Sequence, residues 1–78
     1  MAQEHLMDWS GCSQVEQVPG KVSGVPILKG TRVQAEAVLG NYALGETPES
    51  ISEIFDLNLE QVRAVLKYAL DRMQDQHH

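Results

Sequence analysis

The chain has 78 residues, 42% of them hydrophobic, with 11 Asp and Glu against 6 Lys and Arg, for a formal charge of -5. That length holds one small domain and excludes two. The single cysteine excludes an intrachain disulfide. No apolar run approaches the ~20 residues of a membrane span, and residues 1–9 lack the basic and apolar regions of a secretory signal, so a cytoplasmic protein is expected.

Residues 1–13 are polar apart from Leu6, Met7 and Trp9. They read as an N-terminal arm that orders only by packing on something. A single domain is expected over 14–73, followed by a polar tail at 74–78 that includes His77 and His78. Residues 14–30 combine three Gly, two Pro and five β-branched residues, a mixture of short extended pieces and turns. Val15 to Val18 and Val25 to Lys29 are candidate strands around a Pro19-Gly20 turn. They are expected to pair as a small hairpin, within the chain or across a dimer, in the extended segment 14–33, and Pro26 directs its strand to an edge.

From Gln34 the apolar period becomes helical: Ala35, Val38, Leu39 and Tyr42 recur at i, i+3, i+4 and i+7. The first helix is expected over 34–44, with Thr31 and Gln34 as a capping box and Gly45 as its stop. Gly40 inside it implies a close approach by another element. Thr47-Pro48 caps a second helix over 48–55, whose apolar face is Ile51, Ile54 and Phe55. Asn58 caps a third helix over 59–73, with Gln61 completing a capping box. The buried stripe of this helix is Val62, Val65, Leu66, Ala69 and Met73.

The second and third helices have helix-turn-helix spacing. Ile51 and Val62 face each other across the corner, Asp56 tolerates the left-handed turn position, and Leu57 plugs the corner. The fold class is therefore mainly α: a three-helix, homeodomain-like bundle with a short N-terminal β-hairpin. In a DNA reader, the N-terminal exposed residues of the third helix meet base edges. Gln61 and Arg63 are of base-reading type, and Lys67 follows on the same helix. Charge is segregated along the chain. Lys21, Lys29 and Arg32 make 21–32 wholly basic, while Glu36, Glu46, Glu49, Glu53 and Asp56 make 33–58 wholly acidic. The acidic second helix opposes phosphate, so DNA readout and a purely protein-binding corner both stay open. Candidate DNA- or partner-binding residues are Lys29, Arg32, Gln61, Arg63 and Lys67. Pro26, Gly30, Thr31 and Asn58 are assigned structural roles, and an Arg32–Glu36 ion pair one turn apart is the structural alternative for Arg32.

The segment Ser23-Gly24-Val25-Pro26-Ile27-Leu28-Lys29-Gly30-Thr31-Arg32-Val33 resembles the hallmark of the domain of unknown function 433 family, Gly-Gly-Lys-Pro-Val-Ile-Arg-Gly-Thr-Arg followed by an aliphatic residue. Gly24, Pro26, Gly30, Thr31 and Arg32 match, and Lys29 is a conservative match. Val25 stands where the hallmark has Lys. Gly45 to Ile51 and Leu57 to Val62 resemble two further family segments, so the likeness spans about 8–72. The resemblance implies a homeodomain-like or winged-helix-like fold, dimerisation, and a VapB-like antitoxin role. Its implied partners are a PIN-like ribonuclease toxin and operator DNA. The alternative is a non-enzymatic interaction module without nucleic acid. No nucleophile–base pair, metal-ligand cluster or phosphate-cradling glycine loop is legible, so neither an enzyme nor a cofactor is expected.

Overall fold

The computed structural model describes residues 7–75. The chain runs β1 (Val15–Glu16), β2 (Ile27–Leu28), α1 (Ala35–Ala43), α2 (Pro48–Phe55) and α3 (Leu59–Asp75). The expectations for residues 1–6 and for 76–78 lie outside the described residues; α3 extends to Asp75, two residues beyond the expected 59–73 and into the expected 74–78 tail. The fold is three helices with a short N-terminal antiparallel hairpin.

The connection between the strands opens with a tight turn and continues through a short 3-10 turn at Val22–Gly24. The Lys21 N–H donates to the Val18 carbonyl at 3.0 Å, and Gly20 has φ +84°. Pro at the second and Gly at the third turn position is the type II signature. The strands pair in the register Val15 with Leu28 and Glu16 with Ile27. Ile27 also bridges to Gln34, so β2 is bonded on both sides and both its residues are fully buried. Pro26 stands just before β2, where no donor is needed. Its carbonyl accepts from the Ala35 N–H at 3.0 Å and ties the hairpin to α1.

Thr31 does not cap α1. Its hydroxyl donates to the Leu28 carbonyl at 2.8 Å and accepts from the Val33 N–H at 3.0 Å. The Leu28 N–H donates to the Val33 carbonyl at 2.9 Å, and Gly30 turns the loop at φ +77°. Thr31 is spent on this loop, so the α1 cap is Gln34, with no side-chain bond. Ala35 and Val38 are buried, whereas Tyr42 is 36% exposed. Among the described residues no element approaches Gly40: a Cβ built there meets nothing within 4 Å. Gly40→Ala is therefore expected to stabilise the domain by about 0.5–1 kcal/mol through helix propensity, read as a rise in thermal midpoint.

The corner between α2 and α3 forms as its residues dictate. The Thr47 hydroxyl accepts from the Ser50 N–H at 3.0 Å, with Pro48 at the first helical position. Asp56 adopts φ 57°, ψ 53°. The Leu57 N–H donates to the Ser52 carbonyl at 2.8 Å and the Asp56 N–H to the Glu53 carbonyl at 3.4 Å, the paired bonds of a Schellman ending. The Asn58 side-chain oxygen then accepts from the Glu60 and Gln61 N–H groups at 2.8 and 3.3 Å. Ile51, Val62, Val65 and Ala69 have no exposed surface. Ile54 is not a core residue. It is 54% exposed, because the core lies between Ile51 and Phe55 and leaves Ile54 on the flank of a two-turn helix. Met73 shares the α3 stripe but is 44% exposed. The 17 residues of α3 outrun the 9 and 8 of α1 and α2.

The segment before the hairpin packs on the bundle, the condition on which its order was expected. Trp9 is 3% exposed and Cys12 is 7%. One carboxylate oxygen of Glu36 accepts from the Trp9 indole at 2.9 Å and from the Met7 N–H at 3.2 Å. Trp9 stacks on Tyr68 with ring centroids 5.8 Å apart, and the Tyr68 hydroxyl donates to the Asp8 carbonyl at 2.7 Å. The Arg72 guanidinium lies 5.4 Å from the Tyr68 ring centroid. Glu36 is thus engaged by the N-terminal segment, and the expected Arg32–Glu36 ion pair does not form.

Candidate nucleic-acid interface

Two of the five candidate contact residues meet at the N-terminus of α3. Gln61 does not complete a capping box. Its amide reaches across to donate to the Lys29 carbonyl at 3.0 Å, a contact between residues 32 apart in sequence. Lys29 is itself fixed by its N–H, which donates to the Gln14 carbonyl at 2.8 Å. Gln14, Lys29, Asn58, Glu60 and Gln61 line an open pocket of about 310 Å³. Three amide residues and one lysine line it, with the Gln61 amide donating to the Lys29 backbone carbonyl and the Asn58 oxygen capping α3. These are the side chains that pair with adenine and guanine edges, and they sit at the end of the helix that a helix-turn-helix presents to the major groove. Glu60 is the acid in this set and suits only a cytosine amino group. Gln14 was missed in the sequence. It sits in a stretch that reads only as a turn-rich lead-in, and its place beside α3 depends on the β1–β2 register.

Arg32 is exposed on the Leu28–Val33 loop that carries Lys29. Among the described residues neither Lys29 nor Arg32 forms an ion pair.

Arg63 and Lys67 lie elsewhere. At 100° per residue, position 63 is turned 200° from position 61, onto the opposite flank of α3. The Arg63 guanidinium donates to Glu49 of α2 at 2.7 Å, and Lys67 pairs with Asp71 one turn on at 3.1 Å. Both pairs are exposed and worth little to stability. Arg63, Lys67, Tyr42, Pro48, Leu66 and Leu70 line a second, mostly apolar groove of about 370 Å³. The basic residues of the third helix therefore divide between two surfaces. Lys29 and Gln61 meet at the N-terminal end of α3, and Arg63 and Lys67 lie on its other flank.

The acids of α2 stay at its surface: Glu49, Glu53 and Asp56 are all exposed. The Glu49 carboxylate is held below its ordinary pKa by its own backbone N–H, and then by the Arg63 guanidinium. Asp8 is lowered by the Ser10 hydroxyl and N–H, which donate at 2.7 and 3.0 Å. Both groups bind protons less well folded than unfolded. Their contribution is present above the unfolded carboxylate value of about 4 and is lost as pH falls through the lower folded values. An acid titration followed by circular dichroism is expected to show stability falling only below that range. Asp8→Asn and Glu49→Gln are expected to reduce the pH dependence.

The family model described as "Protein of unknown function (DUF433)" matches residues 15–69. The chain belongs to the DUF433 family. The match covers the hairpin, the Gly30-Thr31-Arg32 loop, α1, α2 and the first eleven residues of α3, so both walls of the amide pocket fall inside it except Gln14. No curated protein and no solved structure matches this DUF433 chain.

Proposed function

We propose that this DUF433 protein is a non-enzymatic, cytoplasmic, antitoxin-like regulator that acts as a homodimer. It binds operator DNA through the N-terminal end of α3 and neutralises a PIN-like ribonuclease toxin through its acidic surface. The observation that carries the DNA half is the convergence of Lys29 and Gln61 on one pocket at the base-reading end of a helix-turn-helix. The observation that carries the toxin half is the segregation of charge. The exposed acids of α2 offer a basic protein surface a complementary partner, and complementarity of this kind steers association and fixes register.

The same acids favour a second reading, a protein-interaction module without nucleic acid. In a conventional docking the helix before the recognition helix crosses the DNA backbone, and here that helix presents Glu49, Glu53 and Asp56. Fluorescence anisotropy on a duplex from upstream of its own reading frame separates the two. The first reading expects log K to fall linearly with log salt, with Lys29→Ala reducing the slope by about 1 and Gln61→Ala altering base preference. No binding at 50 mM salt would leave the interaction module standing. The toxin half is tested by co-expression with an adjoining PIN-like reading frame. Ribonuclease inhibition that survives Glu53→Lys with Asp56→Lys overturns the acidic-surface assignment.

A further inference from the structure

We infer that the hairpin carries a site for a DNA-backbone phosphate, formed by the Gly30 N–H and the Lys21 ammonium and filled in the free protein by the Glu16 carboxylate. This inference rests on the DNA reading above and supplies the backbone contact that reading lacks. Half to two-thirds of the hydrogen bonds in a protein–DNA interface go to phosphate and sugar, many from Lys, Arg and backbone N–H groups. Helix α2 has no Lys or Arg and exposes Glu49 and Glu53. The phosphate contacts therefore have to come from another element.

Glu16 marks the place. Its Oε2 accepts from the Gly30 N–H at 3.3 Å and lies 3.6 Å from the Lys21 ammonium. An amide and an ammonium aimed at one anionic oxygen are donors that a phosphate oxygen takes equally well. The surroundings are cationic too. Residues 21–32 hold Lys21, Lys29 and Arg32 and no acid. Lys29 and Arg32 are exposed on either side of Gly30, and among the described residues neither forms an ion pair.

The resident contact is easily displaced. Both distances are long beside the roughly 2.7–2.9 Å of a strong charge-assisted bond, and both side chains are partly exposed, so the pair adds little to stability. The backbone of Glu16 is fixed by its pairing with Ile27, and only its side chain has to swing aside. Lys21, by contrast, is held at a cost. Val22 and Ser23 follow it with φ of 50° and 57°, left-handed values that strain a β-branched residue most. The Gly24 N–H closes this turn on the Lys21 carbonyl at 3.0 Å. Strain of this kind collects at functional sites.

The position favours DNA over a free anion. Lys29, next to Gly30, donates its N–H to Gln14 and accepts from Gln61 through its carbonyl. The phosphate site is thus one residue from the contact that ties this loop to the N-terminal end of α3.

Fluorescence anisotropy of the full chain tests the site on two duplexes, one from upstream of its reading frame and one of scrambled sequence. Glu16→Gln is expected to tighten both about threefold. Lys21→Ala is expected to weaken both and to lower the salt slope by about 1. In a Lys21→Ala background, Glu16→Gln is expected to gain less than in the wild type, because the ammonium that Glu16 blocks is gone. An equal gain in both backgrounds marks a general charge effect and overturns the site. Duplex binding indifferent to both variants also overturns it and leaves the DNA reading standing. No duplex binding at about 50 mM salt overturns both. The Gly30 amide resonance is a second readout and is expected to shift on titration with either duplex. Inorganic phosphate that shifts it at lower concentration than the duplexes assigns the site to a free anion and overturns the DNA assignment.

Discussion

Trp9→Ala is expected to cost about 3–5 kcal/mol, the range for truncating a large aromatic in a packed core. Three losses combine. The indole leaves a site that is 3% exposed, its face leaves Tyr68, and the Glu36 carboxylate keeps only its Met7 bond. Folded domains hold roughly 5–15 kcal/mol in total, and a chain of 78 residues belongs near the lower end. The variant should therefore show a large drop in urea midpoint, followed by circular dichroism because Trp9 is the sole tryptophan. Glu36→Gln, which keeps an acceptor oxygen in place, should lose only about 1 kcal/mol. A Trp9→Ala cost below about 1 kcal/mol would mean that the segment before the hairpin is not part of the core.

The contrast between Trp9 and the corner residues shows what the sequence could disclose. The corner was legible because its signals are local. Thr47-Pro48, Asp56 and Asn58 each fix a helix end within a few residues, and the helical period of Val62, Val65, Leu66 and Ala69 names the buried stripe. Pro19-Gly20 marked the turn after β1 for the same reason. The Trp9–Glu36 and Gln61–Lys29 contacts join residues 27 and 32 apart, and no spacing rule reaches that far. Their partners looked occupied locally, since Arg32 lies one turn from Glu36, and Asn58 and Gln61 read as a reciprocal cap. In each case a tertiary partner displaced the neighbour in sequence. The division of Lys29 and Gln61 from Arg63 and Lys67 was legible in principle, because helix geometry alone sets positions 61 and 63 on opposite flanks. The sequence reading grouped them by charge and by helix, and the structure separates them by angle.

Ile51→Ala tests the proposed recognition surface as Trp9→Ala tests the fold. Ile51 is fully buried and belongs to the core that also holds Val38, Val62, Val65 and Leu66. Truncation is expected to remove about 2–5 kcal/mol, measured as a loss in urea midpoint. Its position at the corner between α2 and α3 gives the cavity a directional consequence. The angle between these helices aims the α3 N-terminus, and the β2–α1 loop is tied to α3 by the Gln61–Lys29 bond. A shift of α3 is expected to separate Lys29 from Gln61. On the proposed DNA-binding role, affinity is expected to fall further than the folded fraction alone accounts for, at temperatures where circular dichroism still reports native helix. Ile54→Ala supplies the control within the same helix. The residue type is identical and lies three positions on, yet its side chain is 54% exposed, so its change should stay within about 0.5 kcal/mol. Equal costs at 51 and 54 would mean that α2 packs on a different face from the one its contacts define, and the corner that positions the amide pocket would fall with it.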